Sequence, residues 1–219
     1  MDVCSALSTL ESFVLIFSFS FPGLLSCLLL LPLASPQTTT PLPQQTPTSE
    51  GFFLSGSSYT LTSDTLSLSA GARIAFSFRT CSAGELLKQT AHSLDQFQLR
   101  VTPSGALLLS ITTGEATLRQ TVGSGLLDGQ WHTASVSVSP GADEITLGVD
   151  SAKDTVAGQG ELIRTANLTA PSLRVGAGMV ACLREGPGVR FTKEGVAVNS
   201  FGVNWAGCFM PESCQGRTV

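Results

Sequence analysis

The sequence predicts an all-β protein built as an antiparallel β-sandwich, and three observations support that prediction. Ser, Thr, Gly, Leu and Val dominate the chain after residue 50, and this mix favours strands and turns over helices. Apolar and polar residues alternate with a period of two in one short segment after another, and turn residues separate these segments. No segment shows a sustained apolar repeat at helical spacing. Many strands joined by regular turns are typical of an antiparallel sandwich.

The alternating segments predict the individual strands. In ARIAFSFRT, Ile74, Phe76 and Phe78 share one face, and QFQLRV and ALLLSIT flank the turn at residues 102–105 as a hairpin. Further strands are predicted at EATLRQT, WHTASVSV and EITLGVD, with shorter ones at SLRVG, VACLR and GVRFT. No internal repeat divides this part of the chain, so we expect one domain at residues 50–210.

The first 34 residues are predicted to be a signal peptide. Residues 13–34 are strongly apolar, and small residues near position 34 suit cleavage. The segment before them carries Asp2 and Glu11 without Lys or Arg, and the apolar run is long enough to span a bilayer. An uncleaved anchor and a mispredicted start are therefore the alternatives. A signal peptide and an anchor both place the remaining chain outside the cell.

Two segments flank the predicted domain. Residues 35–49 contain four prolines and no charged or aromatic residue, so we expect an extended linker. Residues 211–219 are interpreted as a tail or as the start of a following module.

The charge pattern excludes nucleic acid as the expected partner. The 219 residues have a formal net charge of −4, and only 13% are charged. The twelve Lys and Arg form no basic stripe interleaved with aromatic residues.

Four cysteines remain once the predicted signal peptide is removed: Cys81, Cys182, Cys208 and Cys214. An even number in an exported chain indicates disulfides, with three possible connectivities. None of the four lies in a CxxC motif or a Cys/His cluster, which argues against a zinc site.

Six segments, in order, resemble the laminin G-like domain of laminins, neurexins, agrin, crumbs-type proteins and sex-hormone-binding globulin. They are FFLSGSSYTL, IAFSFRTCSAGELL, DQFQLRVTPSGALLLSI, LLDGQWHTASVSV, EITLGVD, and the closing set LRVG, VACLR and GVNWAGC. The resemblance implies an antiparallel jelly-roll-like sandwich. It also implies a disulfide between Cys182 and Cys208. Cys81 and Cys214 receive no pairing from it: they are expected either to pair with each other or, in the case of Cys214, to open a neighbouring module.

The resemblance implies a possible calcium site. Many members of the family bind one calcium ion at the rim of the sandwich, and Asp95 matches the position of one ligand. The second ligand position falls in residues 176–180, which contain no Asp or Asn. Asp95 is therefore the single candidate ligand that the resemblance identifies. Calcium prefers six to eight oxygens, so backbone carbonyls would have to supply the others.

His132, in the segment GLLDGQWHTASVSV, is the histidine most suggestive of a site. Strand alternation places it on the same face as Ala134, Val136 and Val138, with Trp131 on the opposite face. We therefore predict a buried, hydrogen-bonded histidine. Asp128 is close in sequence, but a turn and the strand after it need not converge.

No catalytic residue is predicted. The sequence has no GxSxG or HExxH motif, His92 has no evident partner, and Asp143 and Glu144 lie in a predicted turn. Asn167 begins an Asn-Leu-Thr sequon and is the predicted glycosylation site.

The expected function is a non-catalytic extracellular module that binds a protein or glycan partner. It would be secreted or held at the outer face of the plasma membrane, and its binding surface is expected on rim loops such as residues 91–96. The resemblance also implies that clustered Lys and Arg can bind sulfated glycans, as they do in some members of the family. The sequence alone does not show whether Arg73, Arg79, Arg100 and Arg119 lie close together. A steroid-like ligand carrier and a lectin-fold carbohydrate-active enzyme are the alternatives.

Overall fold

The computed structural model describes residues 51–114, 116–166, 168, 172–191 and 197–214. The predicted signal peptide or anchor, the predicted linker and Asn167 lie outside these residues and stay predictions. In the described part of the chain, no helix is both long enough and apolar enough to cross a membrane.

The described chain forms twelve β-strands and one short α-helix, all antiparallel where strands pair. The strands are β1 Phe52–Thr62, β2 Arg73–Thr80, β3 Gly84–Thr90, β4 Gln96–Val101, β5 Leu107–Thr113, β6 Ala116–Val122, β7 Trp131–Val138, β8 Ile145–Val149, β9 Ala152–Val156, β10 Leu173–Ala177, β11 Val180–Arg184 and β12 Ala197–Asn204. The helix α1 is Gly160–Thr165. The predicted all-β antiparallel sandwich is thus confirmed.

The strands form two layers that share β1. The first layer runs β6-β5-β4-β3-β10-β1, and the second runs β1-β11-β2-β7-β8-β9, with β12 paired to the other side of β1. β1 changes neighbour from β11 to β10 around Gly56, whose φ of +90° suits glycine. At the opposite side, Gln120 Nε2 on β6 donates to the carbonyl oxygens of Ile145 (3.2 Å) and Asp154 (3.4 Å). These bonds join the two layers where their edge strands meet.

Strand alternation builds the core. Phe76 and Phe78 of β2, Phe97 and Leu99 of β4, and the alternate residues of most other strands are buried in one continuous apolar cluster. Burial of apolar area is the dominant favourable contribution to folding. The outward residues of the same strands are mainly polar, so the two outer faces carry polar and charged side chains that a ligand can contact.

The segment GVRFT was predicted as a strand, and that prediction is wrong. Gly186 and Val189 form an isolated bridge within a loop that crosses β2, where the Ala75 amide donates to the Pro187 carbonyl oxygen (2.8 Å). A Cβ at Gly186 or Gly188 would clash with the backbone of β2. The two glycines therefore allow the loop to lie directly against β2.

Candidate functional site

A group of cations lies on the outer face of the first layer. The strands β1, β3–β6, β10 and β12 contain five charged residues, and only one of these is acidic, Glu85. The other four are Lys88, Arg100, Arg119 and Arg174, which we call the basic face.

Cross-strand register places the basic face around Gln98. Lys88 is directly opposite Gln98 on β3, and Arg119 follows beyond Ser110 on β6, two strands away. Arg100 is two residues along β4 and therefore points to the same side as Gln98. Neighbouring strands lie about 4.8 Å apart, so Arg119 is about 10 Å from Gln98 across the sheet.

Glu85 organises one end of the basic face. Its carboxylate accepts hydrogen bonds from Arg174 Nε (2.7 Å) and Gln98 Nε2 (2.9 Å). The Glu85 side chain is only 10% exposed, so these charge-assisted bonds compensate for its burial. Arg174 is consequently occupied by a structural role.

The side chains of the other three cations form no hydrogen bond or ion pair with any residue that the structure describes, although Glu85 is directly opposite Arg100 across the strands. The Nε atom of Arg100 is buried and lacks an acceptor there. A buried donor without a partner costs about 1–3 kcal/mol. Independently of that buried atom, three positive charges on one outer face produce a positive potential that favours an anionic ligand.

Arg73 and Arg79 do not join this group. Both lie on β2 in the second layer, where the Nε atom of Arg79 donates to the Gly129 carbonyl oxygen. Of the four arginines considered from sequence, Arg100 and Arg119 share a face. Lys88 and Arg174 complete it, and the alternation in ELLKQT and LRVG is the signal that could have found them.

Asp95 lies at the start of β4 and is 6% exposed. Its Oδ1 accepts a hydrogen bond from the Gly114 amide (3.2 Å), and its carbonyl oxygen accepts one from the Ala91 amide (2.8 Å). Within the described residues, no group of three or more His, Cys, Asp or Glu side chains is arranged to hold a metal ion. Backbone carbonyls would have to supply the rest of a calcium shell, so Asp95 as a calcium ligand stays a prediction.

His132 is held between two carboxylates. Its Nδ1 lies 2.8 Å from Asp150 Oδ2 and its Nε2 lies 3.0 Å from Asp128 Oδ1. The His132 side chain is 12% exposed and points to the same side as the buried Ala134. Burial opposes the charged imidazolium, but hydrogen bonds to Asp150 and Asp128 and their negative charges outweigh it and raise the pKa of His132.

This arrangement is structural in character. Both ring nitrogens of His132 contact carboxylates, so neither is directed at a nucleophile as the base of a hydrolase must be. The predicted face and hydrogen bonding of His132 agree with the structure. The sequence left open whether Asp128 and His132 converge, and the structure brings them together through the turn at Asp128-Gly129.

Both disulfides lie near the start of β7, on the face of the sheet opposite to His132. Cys182 pairs with Cys208, and Cys81 pairs with Cys214. The four sulfurs form a small cluster with Met210, against which Trp131 packs. Because Cys214 is bonded within the domain, it does not open a separate cysteine-rich module.

A cleft of about 380 Å³ lies at one edge of the sandwich. Its lining is Thr65, Leu66, Ser67, Leu68, Ser69, Ile163, Ala166 and Leu168. The buried Gln89 amide fixes one wall, because its Oε1 accepts from the Leu66 amide (2.7 Å). The cleft is thus formed by α1 and the segment after β1.

The fold and these surfaces define an antiparallel β-sandwich whose polar and charged side chains lie on its outer faces. Residues 78–182 match the model of the laminin G domain family. This match confirms the resemblance to the laminin G-like domain over those residues. Domains of this family are commonly extracellular, generally non-catalytic modules that bind proteins or glycans.

Two solved structures show the same fold. Domains LG4-5 of the mouse laminin alpha1 chain match with a TM-score of 0.54 and 23% identity, covering 74% of this chain and 47% of that one. The LG1-3 region of the laminin alpha2 chain matches with a TM-score of 0.57 and 14% identity, covering 71% of this chain and 34% of that one. This chain thus corresponds to less than half of either laminin fragment. A search of curated protein sequences found no significant match.

Proposed function

We propose that the domain is a non-catalytic extracellular recognition module that binds an anionic partner through the basic face. The observation that carries the proposal is the set of three cations around Gln98 whose side chains form no ion pair or hydrogen bond with the described residues. The two disulfides fit an oxidising, extracellular environment. Anionic glycans and acidic protein segments both have the required charge.

A comparison with the outer face of the second layer supports the choice of the basic face as the binding surface. The second layer also contains four cations, but Arg79 bonds to the Gly129 carbonyl and Arg184 stacks over the Trp131 ring at 4.2 Å. The remaining two, Arg73 and Lys153, have no third Lys or Arg on the two strands between them, whereas Arg100 lies on β4 between Lys88 and Arg119. Among the described strands, the first layer therefore presents three such cations on one face, and the second layer presents two.

Binding of a heparin-derived hexasaccharide tests the proposal, measured by calorimetry on the full chain at two salt concentrations. Lys88→Ala with Arg119→Ala removes two positive charges from the basic face and should weaken binding roughly 2- to 30-fold. The matched control, Arg73→Ala with Lys153→Ala, removes the same charge from the other layer and should bind like the wild type. Equal losses in both double variants would show that net charge, rather than this face, determines binding.

A small-ligand carrier is a second candidate, supported by the cleft beside α1. Its volume lies within the usual range for small-molecule sites, and its apolar side chains are rimmed by the hydroxyls of Thr65, Ser67 and Ser69. A steroid bound between the sheets would occupy a different place. Displacement of an apolar fluorescent probe, with Ile163→Trp introduced to fill the cleft, tests this candidate.

A further inference from the structure

Tyr59 and Phe201 form an exposed aromatic pair on the ribbon of β1 and β12. They are directly opposite each other, with ring centroids 6.2 Å apart and planes inclined by 24°. Phe201 is 59% exposed, and the only other large apolar side chain so exposed among the described residues is Leu94, in a turn. The inward residues of the same stretch of β1, Ser58 and Thr60, are buried and bond to β12. The rings are therefore directed away from the core.

The aromatic pair lies on the same outer face as the cations. Cross-strand register gives one continuous outward row over seven strands: Asn199, Leu61, Arg174, Lys88, Gln98, Ser110 and Arg119. Tyr59 is two residues from Leu61 and so shares its side of β1. Six strand spacings of about 4.8 Å make this row about 29 Å long. The aromatic pair stands at one end of it and Arg119 at the other.

The aromatic, polar and cationic side chains along this row fit a carbohydrate better than an acidic peptide. The electron-rich face of an aromatic ring attracts polarised C–H groups such as those on one side of a pyranose ring. Amides and hydroxyls of Asn199 and Ser110 can bond to sugar hydroxyls, and the cations can bind carboxylate or sulfate groups. An extended peptide gains much of its affinity by pairing with a free strand edge. The strands β10, β3, β4 and β5 are paired on both sides and offer no such edge.

We infer that Tyr59 and Phe201 are a stacking subsite for a pyranose ring, and that the ligand is an acidic polysaccharide lying across the strands from this pair toward Arg119. This inference rests on the proposed function, because the cations of the basic face supply most of the attraction. The aromatic pair adds the selection for sugar rings over other polyanions of equal charge.

The experiment compares two polyanions on the full chain: the heparin-derived hexasaccharide and a polyglutamate of matched charge number. Phe201→Leu keeps an apolar side chain and removes the ring, while Phe201→Tyr keeps the ring. We expect Phe201→Leu to weaken hexasaccharide binding roughly two- to tenfold, the range of one aromatic contact, and to leave polyglutamate binding unchanged. Phe201→Tyr should bind both like the wild type.

The outcomes separate the two proposals. Unchanged hexasaccharide affinity in Phe201→Leu, or a wild-type preference for polyglutamate, would overturn the stacking subsite and leave the basic face standing. Equal losses for both polyanions would also overturn it, because they would indicate a structural effect of the ring. Failure of the wild type to bind either polyanion would overturn the proposed function and the subsite with it.

Discussion

His132 Nδ1 and Asp150 Oδ2 lie 2.8 Å apart, and this contact ties the start of β7 to the turn between β8 and β9. The second oxygen of Asp150 accepts a hydrogen bond from the Thr133 amide (2.8 Å), so one carboxylate binds both ring and backbone. Asp128 then holds the other ring nitrogen. Two turns and the start of β7, all at one end of the second layer, are thereby fixed to a single imidazole.

The first prediction follows from this arrangement. His132→Ala removes two charge-assisted contacts and should lower the free energy of unfolding by about 1.5–3 kcal/mol, measured by urea denaturation. Hexasaccharide binding should be retained, because the basic face lies on the other layer. His92→Ala, at an exposed turn residue, is the control and should leave stability unchanged. Lost binding at an unchanged melting temperature in His132→Ala would contradict the structural role.

The second prediction concerns pH. Because the pKa of His132 is raised in the folded state, folding favours its protonated form. This contribution is fully present below the unfolded value of 6.5 and is lost as the pH rises through the folded pKa. The melting temperature of the wild type should therefore fall across that window relative to His132→Gln. Parallel pH profiles for the two proteins would show that the ion pairs contribute no charge-dependent stability.

The third prediction uses two glycines that differ in one respect. Gly129 and Gly125 have φ values of +73° and +71°, so alanine is similarly strained in the backbone at both. A Cβ at Gly129 would clash with the Cys214 carbonyl oxygen, whereas a Cβ at Gly125 meets no atom within 4 Å. Gly129→Ala should therefore lower the melting temperature more than Gly125→Ala. Equal effects would argue against close packing of the Asp128-Gly129 turn on the C-terminal segment.

The fourth prediction concerns the second disulfide. Cys81 and Cys214 are 133 residues apart, and the loop-entropy relation gives about 5 kcal/mol for closing a loop of this size, against about 3.5 kcal/mol for the 26-residue separation of Cys182 and Cys208. Replacing Cys81 and Cys214 by Ser should destabilise the domain at least as strongly as replacing the other pair. Peptide mapping without reduction checks the pairing itself, and a Cys81–Cys182 linkage would refute it.

The calcium prediction is tested at Asp95. Asp95→Asn keeps an oxygen that can accept from the Gly114 amide, so its stability should match that of the wild type. If Asp95 ligates calcium, calorimetric heat on calcium addition should be present in the wild type and absent in Asp95→Asn. No heat at millimolar calcium in the wild type would remove Asp95 as a ligand.

The sequence predicts those features of the structure that depend on residues close together in the chain. Period-two alternation places His132 on the side of Ala134 and Val136, and the structure agrees because β7 is regular over its whole length. The Cys182–Cys208 pairing followed from the laminin G resemblance and is confirmed. The failed strand GVRFT shows the limit, since its alternation is real but two glycines let the segment lie on β2 instead.

The remaining features depend on strand order, which alternation does not encode. Asp150 reaches His132 only because β7 pairs with β8 and places the following turn beside the start of β7. Lys88 and Arg174 are 86 positions apart in sequence and become neighbours because β10 pairs with β3. The aromatic pair Tyr59 and Phe201 likewise requires the first and last strands to meet.

The basic face is the central claim, and mapping the ligand by backbone NMR tests it most directly. The full chain, labelled with nitrogen-15, would be titrated with the heparin-derived hexasaccharide while its amide resonances are followed. We predict that the largest shifts fall on β3, β4 and β6 around Lys88, Arg100 and Arg119, and extend along β10 toward Tyr59 and Phe201. Shifts confined to the rim loop at residues 91–96, or no shifts at all, would contradict the account.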